Sequence, residues 1–402
     1  MFPAEEHRDY LVPAEEIARR VAAVQRCMQS LNVAHLWIDH LVDRLYLSGS
    51  SQNGVVLVPA EGQAKYFVRK SLQRARAESP LEVLPHPGRR GLVAVLGGTA
   101  PQGARIGLAM DVMPAATYLW LVEELSGREF VDVSGEMRRL RATKSAWEIG
   151  QIRAASDQIT TLFGEIGERM SPGMTELDLT GAVEGRLRQL GHGGTVRLRR
   201  PGADISIGTV VSGRSGMYPT NFDGPVGAPG PTPASSGGAG WKRLVAGETV
   251  MLDIVTSYNG YHADTTRTFF LGDTIPGPTS DAHEFCREIL SRIEARLRPG
   301  AVCSEIYRET AADAEKLGEP EGFMGFGENR VRFFGHGVGL ELDELPVLAD
   351  RIDMVIEPGM VVAVEPKAFG TESGPVGIED IYVVTESGCE RLCPVPHDII
   401  RI

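Results

Sequence analysis

Val250-Met251-Leu252-Asp253-Ile254-Val255 is an apolar, strand-like run interrupted by one carboxylate. A second run, Val361-Val362-Ala363-Val364-Glu365-Pro366, is built the same way. A buried carboxylate without a partner is costly, so each acid must be paired, protonated or bound to metal. Asp264 and Glu379 follow Asp253 and Glu365 by 11 and 14 residues, enough for a turn and a return strand. One hairpin brings Asp253 beside Asp264, and another brings Glu365 beside Glu379. Four carboxylates held that close repel one another unless cations lie between them. His336, in Phe334-Gly335-His336-Gly337-Val338-Gly339, adds an imidazole that its flanking glycines leave projecting. Four carboxylates and one imidazole match a site for two hard or borderline divalent ions.

The surroundings of the two runs repeat. Ile166, Arg169, Pro172, Gly173, Leu190 and Gly191 recur 127 positions later as Ile293, Arg296, Pro299, Gly300, Leu317 and Gly318. Gly247 and Gly359 each stand six residues before their carboxylate, Asp253 and Glu365. Two like halves that each deliver an acid from one place on a strand predict a pseudo-twofold α+β domain with its site on the axis. The copies differ by a stretch dense in Gly, Pro, Ser and Ala between Ser212 and Gly240, read as either a floppy insertion or a loop arranged near the site.

The first third alternates helix and strand signals and reads as a separate α/β domain, residues 1–139, ahead of a second domain, 140–402. Ala14–Leu31 has helical spacing, with Ile17, Val21, Val24 and Met28 apolar. His35–Ile38 and Arg44–Leu47 read as short strands. Val55–Pro59 and Lys65–Val68 read as a hairpin, and Ser71–Ala77 and Ala115–Leu125 as helices. Arg138–Lys144 reads as a basic connector, leading into a helix from Ser145 to Met170.

Net charge is −12, which disfavours nucleic acid and anionic membrane surfaces as partners. No run of eighteen apolar residues occurs, and Met1–Arg19 shows no secretory leader pattern. Five scattered cysteines argue against a disulfide framework and for a reducing cytoplasm; Cys389 and Cys393 read as free thiols rather than a zinc half-site.

The stretch from Asp253 through Tyr258-Asn259-Gly260-Tyr261-His262-Ala263-Asp264-Thr265-Thr266-Arg267-Thr268-Phe269 resembles the metal-binding core of prolidases and Xaa-Pro aminopeptidases. Gly335-His336-Gly337-Val338-Gly339-Leu340, Val364-Glu365-Pro366 and Gly377-Ile378-Glu379-Asp380 share that resemblance. It covers residues 140–402; the first 139, with Tyr46-Leu47-Ser48-Gly49, resemble the N-terminal domain of the creatinase and prolidase branch. The resemblance implies a pita-bread fold, a homodimer as a family habit, and two divalent ions on Asp253, Asp264, His336, Glu365 and Glu379. Asp264 and Glu379 are expected to bridge those ions. It further implies that a hydroxide between the ions attacks a peptide carbonyl, with Glu365 both ligand and proton acceptor. Mn, Co, Zn and Fe all suit such a ligand set.

Two histidines of the family pattern are replaced. Upstream of Asp253 no histidine lies between His192 and His262, and His192 falls at a helix end. Seven residues after His336, a His-Glu-x-Pro pattern reads Asp343-Glu344-Leu345-Pro346. Asp343 becomes a catalytic candidate, and Tyr218 and Asn221 become substrate-binding candidates from the Gly/Pro-rich stretch. His262 is placed on the Asp264 side of its strand. The expected activity is a metal-dependent Xaa-Pro dipeptidase or aminopeptidase acting on small peptides. A metal-dependent lyase or non-peptide C–N hydrolase acting on another small molecule is the first rival, and a non-catalytic binding protein the second.

Overall fold

The computed structural model describes residues 10–199, 205–327, 330–369 and 372–402. They fall into two compact units that divide after Arg141, against an expected boundary at 139.

In the first unit, α1 (Ala14–Ser30) precedes β1 (His35–Ile38), α2 (Leu41–Ser48), β2 (Gly54–Pro59), β3 (Lys65–Val68) and α3 (Leu72–Glu78). Then come β4 (Glu82–Pro85), α4 (Arg89–Thr99), β5 (Arg105–Leu108), α5 (Ala115–Glu124), β6 (Glu129–Asp132) and α6 (Ser134–Ala142). The strands form one sheet in the order β4-β3-β2-β1-β5-β6. β2 runs antiparallel to β1 and β3, and the other neighbours are parallel. Ile17, Val21, Val24 and Met28 are buried on one face of α1, as their spacing requires.

Two expectations are corrected here. Arg44–Leu47 is helical, inside α2, because Val42 and Tyr46 bury one helical face and Gly49, at φ 72°, closes the helix by donating its N–H to Leu45 O at 2.8 Å. Arg138–Lys144 is not a free connector, since α6 takes it as far as Ala142. The Arg141 side chain is buried against Asp43 of α2 at 2.9 Å.

In the second unit, α7 (Ala146–Glu165) ends in a 3-10 turn, Ile166–Arg169, followed by α8 (Glu176–Gln189), β7 (Gly208–Ser212), β8 (Thr249–Tyr258) and β9 (Tyr261–Phe270). Next come α9 (Gly277–Arg296), α10 (Cys303–Leu317), β10 (Phe333–Gly337), β11 (Glu344–Ala349), β12 (Val361–Val364) and β13 (Lys367–Ala368). β14 (Val376–Gly377), β15 (Asp380–Val384), β16 (Cys389–Arg391) and β17 (Ile400–Arg401) complete it. One sheet runs β17-β9-β8-β7, a second runs β11-β10-β12-β15-β16, and β13 pairs with β14. Ser145 with Glu148, and Thr175 with Asp178, form reciprocal caps that fix where α7 and α8 begin. Ile289, Leu290 and Ile293 of α9 pack with Val362, Val364 and Tyr382 in one apolar core of this unit.

The repeat is expressed in backbone hydrogen bonds. Gly173 N–H donates to Leu244 O and Gly300 N–H to Ile356 O, both at 2.9 Å. The reverse bonds, Leu244 N–H to Met174 O and Ile356 N–H to Ala301 O, measure 2.8 and 2.7 Å. Leu244 and Ile356 each stand nine residues before a carboxylate, Asp253 and Glu365. The same tie between helix pair and strand therefore delivers an acid in each half.

The Ser212–Gly240 stretch is an arranged loop. The Glu176 carboxylate, fully buried in the first turn of α8, accepts from Ser212 N at 2.7 Å, Ser212 Oγ at 2.9 Å and Gly240 N at 3.1 Å, clamping both ends. All five cysteines are free. No described helix is long and apolar enough to cross a membrane.

Candidate metal centre

Strand register decides where the acids point. In the β8–β9 hairpin Asp253 pairs with Thr266, and Asp264, two residues before Thr266, lies diagonally across on the same face. In the second sheet Val364 pairs with Asp380, so the next step brings Glu365 opposite Glu379, where Ile378 N–H donates to Pro366 O at 3.1 Å. The two hairpins meet at one antiparallel bridge: Thr266 N–H donates to Glu379 O at 3.3 Å and Glu379 N–H to Thr266 O at 3.2 Å. Thr266 Oγ1 adds a bond to Glu379 Oε2 at 2.9 Å. His336 pairs with Ala363 on β12, two residues before Glu365, and so projects on the Glu365 face. Gly335 permits this approach, because a Cβ there would lie 2.2 Å from Ala363 O.

The five expected ligands converge. Asp264, His336 and Glu379 offer ligand atoms within 4.8 Å of one another. His336 Nε2 lies 3.9 Å from Asp264 Oδ2 and 3.8 Å from Glu365 Oε1. His336 Nδ1 lies 3.1 Å from Gly337 O, and donation there leaves Nε2 as the free lone pair facing the acids. Asp264, His336, Glu365 and Glu379 are buried, whereas Asp253 is partly exposed.

One residue absent from the sequence reading sits among them. Lys367 Nζ donates to Asp253 Oδ2 at 2.9 Å, Glu365 Oε2 at 2.8 Å and Glu379 Oε2 at 3.0 Å. Glu365 and Lys367 are two apart in an extended segment, so their side chains share a side. That alternation was the available signal.

One ammonium does not neutralise four carboxylates. Burial, reinforced by the charges of Glu379 and Asp253, holds Asp264 well above the usual carboxylate range. Burial also pushes Glu379 up to about 8 against the pull of Lys367, and raises Glu365 against that same pull. Burial opposes charge on His336, but Asp343, Glu365 and Glu379 outweigh it and raise the imidazole. Lys367 is likewise held charged, Asp253, Glu365 and Glu379 outweighing burial. Among the described residues, Asp264 Oδ1 and Glu379 Oε1 are buried with no hydrogen-bond donor. Such acceptors are costly, and a divalent cation beside them satisfies both. The donor set fits a metal ion on the Asp264–His336–Glu365–Glu379 side. On the Asp253 side Lys367 already holds Asp253 Oδ2 and Glu379 Oε2.

The remaining candidates separate. Asp343 Oδ1 lies 3.5 Å from His336 Nδ1, flanking the imidazole on the side away from the acids, and its side chain is half exposed. Tyr218 lines a cleft of about 500 Å³ with Phe222, Phe326, Phe333, Val347 and Phe369, while Asn221 does not line it. None of the five metal candidates lines the cleft either. It adjoins them through Phe333, whose ring centroid is 6.5 Å from that of His336. His262 is fully buried: Nε2 accepts from Arg197 N at 3.0 Å and Nδ1 lies 2.9 Å from Gly339 O, while burial pushes the imidazole down to about 4. It tethers the β8–β9 hairpin to the segment after His336. His192 Nδ1 accepts from Ser257 N at 3.1 Å, fixing the end of β8.

Residues 150–386 match the profile of Metallopeptidase family M24, and residues 20–143 match the Creatinase/Prolidase N-terminal domain. Among curated relatives, "Probable dipeptidase PepE" of Mycobacterium tuberculosis is 29% identical over 97% of each chain. "Xaa-Pro dipeptidase" of Pyrococcus furiosus is 24% identical over 95% of this chain and 99% of its own. Among solved structures, the Xaa-Pro dipeptidase from Bacillus anthracis superposes with TM-score 0.80 at 24% identity, covering 96% of this chain and all (100%) of its own. The prolidase from Pyrococcus horikoshii OT3 gives 0.78 at 23%, covering 95% and 100%. At these identities the structures establish the two-domain fold. With paired acids at the junction of two like halves, and a family profile spanning most of the second unit, this chain belongs to Metallopeptidase family M24 and carries a Creatinase/Prolidase-type N-terminal domain.

Proposed function

We propose that this protein is a metal-dependent hydrolase of small peptides, of the Xaa-Pro dipeptidase or aminopeptidase type. The observation that carries this reading is the meeting of Asp253, Asp264, Glu365, Glu379 and His336 at the Thr266–Glu379 bridge between two hairpins. The relatives' names support the substrate class. A bound divalent ion supplies a Lewis acid that polarises a carbonyl and makes water more acidic. Asp264, His336, Glu365 and Glu379 would hold it. Glu365, its pKa raised by burial, accepts a proton at its carboxylate during attack. Tyr218 contacts the peptide from the wall of the aromatic cleft. Asp343 sets its negative charge 3.5 Å from His336 Nδ1, on the side of the ring away from the other acids. Oxygen-rich donors with one imidazole suit Mn, Co, Zn or Fe, with manganese the first to try.

The test is hydrolysis of a panel of Xaa-Pro and Xaa-Ala dipeptides by metal-stripped protein resupplied with each ion. Metal-restored cleavage that Glu365→Gln abolishes supports the reading; no cleavage with any ion contradicts it. The replacement of an imidazole by Asp343, 3.5 Å from His336, favours a second reading, a lyase or non-peptide C–N hydrolase on the same site. Efficient peptide cleavage that survives Asp343→Ala removes that reading. The free cysteines support a cytoplasmic setting and the family resemblance a homodimer, which light scattering checks.

A further inference from the structure

Lys367 is built into the site. It opens β13, and its carbonyl accepts from Met324 N at 2.8 Å. It pairs with Gly377, and a Cβ at Gly377 would meet Lys367 Cγ at 2.6 Å, Cα at 2.8 Å and Cβ at 2.9 Å. The lysine stem therefore runs through space that only glycine leaves open. All three ammonium protons are used, on Asp253, Glu365 and Glu379, and the side chain is 1% exposed.

We propose that Lys367 takes the place of one of the two divalent ions, so that this chain binds a single ion between Asp264, His336, Glu365 and Glu379. An ion on the Asp253 side would need Asp253 and Glu379 oxygens that the ammonium already holds at 2.9 and 3.0 Å, and two cations would crowd the same acceptors. The other side differs. Asp264 Oδ1 and Glu379 Oε1 have no donor among the described residues, and His336 Nε2 stands 3.9 and 3.8 Å from Asp264 and Glu365. Those separations are too long for hydrogen bonds and suit a shared centre, since ligand atoms about 2.1 Å from one ion lie roughly 3–4 Å apart. Charge agrees. Four carboxylates against one ammonium and one divalent ion leave a single net negative charge, and a second ion would make the group positive. Without the lysine, two ions would balance the four acids.

This inference rests on the metal-dependent reading above, and its test separates the two. Metal-free wild type, Lys367→Met and His336→Ala are equilibrated with Mn, and bound ions per chain are counted by dialysis and elemental analysis. Electron paramagnetic resonance is recorded on the same samples. The expected result is one Mn in wild type, with a six-line spectrum of full spin intensity. Lys367→Met should bind two, with intensity lost to spin coupling, and His336→Ala should bind at least tenfold more weakly than wild type. Two coupled ions in wild type, or one ion in both wild type and Lys367→Met, would overturn the role of Lys367 and leave the hydrolase reading standing. No Mn retained by wild type, and no Co, Zn or Fe retained when each replaces Mn in the same dialysis, would overturn both. If Lys367→Met fails to fold, the wild-type count and spectrum decide alone.

Discussion

Arg267→Met should cost this protein about 3–4 kcal/mol of stability. Arg267 and Asp380 are both wholly buried and paired at 2.8 Å, directly behind the Thr266–Glu379 bridge. The guanidinium also donates to the carbonyls of Pro396 at 2.9 Å, Thr266 at 2.8 Å, Glu379 at 2.9 Å and Val395 at 2.8 Å. Removing one partner of a buried pair typically costs ~3–5 kcal/mol, because the other charge stays behind without compensation. His397 and Arg391 remain beside Asp380 Oδ2, which places the value toward the lower end of that range. Urea unfolding followed by Trp147 fluorescence reports on the right unit, since that indole packs edge-on against Tyr261 at 5.7 Å. The double variant Arg267→Met/Asp380→Leu should recover ~1–3 kcal/mol, because no buried charge is then left unpaired. A single variant within ~1 kcal/mol of wild type, below the usual cost of a broken buried pair, or a double variant no more stable than the single, would show that Asp380 is not left uncompensated.

His283 gives a pH prediction. Burial pushes its imidazole down to about 4, and its Nε2 lies 2.7 Å from His397 O. The folded value lies below the unfolded one, so this contribution is complete above about pH 6.5 and is lost as pH falls toward 4, about 3 kcal/mol in all. His283→Phe should flatten that part of the stability profile in pH-dependent urea melts. Gly335→Ala should cost at least ~1–3 kcal/mol and weaken metal binding, because its Cβ meets the Ala363 carbonyl at 2.2 Å. Thermal melts and metal titration check both parts. Tyr218→Ala should raise KM for a dipeptide about tenfold with kcat within about twofold, since Tyr218 lines the cleft and lies outside the metal candidates.

The repeat was legible because each half must place one acid at the same step after the same backbone tie, and that constraint leaves fixed spacings at Gly173 and Gly300, and at Gly247 and Gly359. The ligands were legible because an acid inside a β-rich run has few uses other than a cation. Lys367 is hidden in the sequence because the recognisable run ends at Glu365-Pro366. Strand alternation carries past the proline and puts the next side chain but one into the same site. Arg44–Leu47 reads as a strand because a short run fits either period, whereas burial of Val42 and Tyr46 on one face, the Gly49 cap and the Asp43–Arg141 pair decide for helix. Tyr218 and Asn221 are three residues apart in one loop, yet only Tyr218 lines the cleft. That outcome depends on how Glu176 clamps the ends of the loop, a contact between α8 and residues 36 and 64 positions away.

The most direct measurement is anomalous diffraction from a crystal grown with Mn, with data on both sides of the metal edge. One strong peak is expected about 2.0–2.2 Å from Asp264, His336, Glu365 and Glu379 atoms, with density for the Lys367 ammonium still on Asp253. A second peak beside Asp253 would contradict the role of Lys367, and no peak among these side chains would contradict the claim that this junction was assembled around a cation.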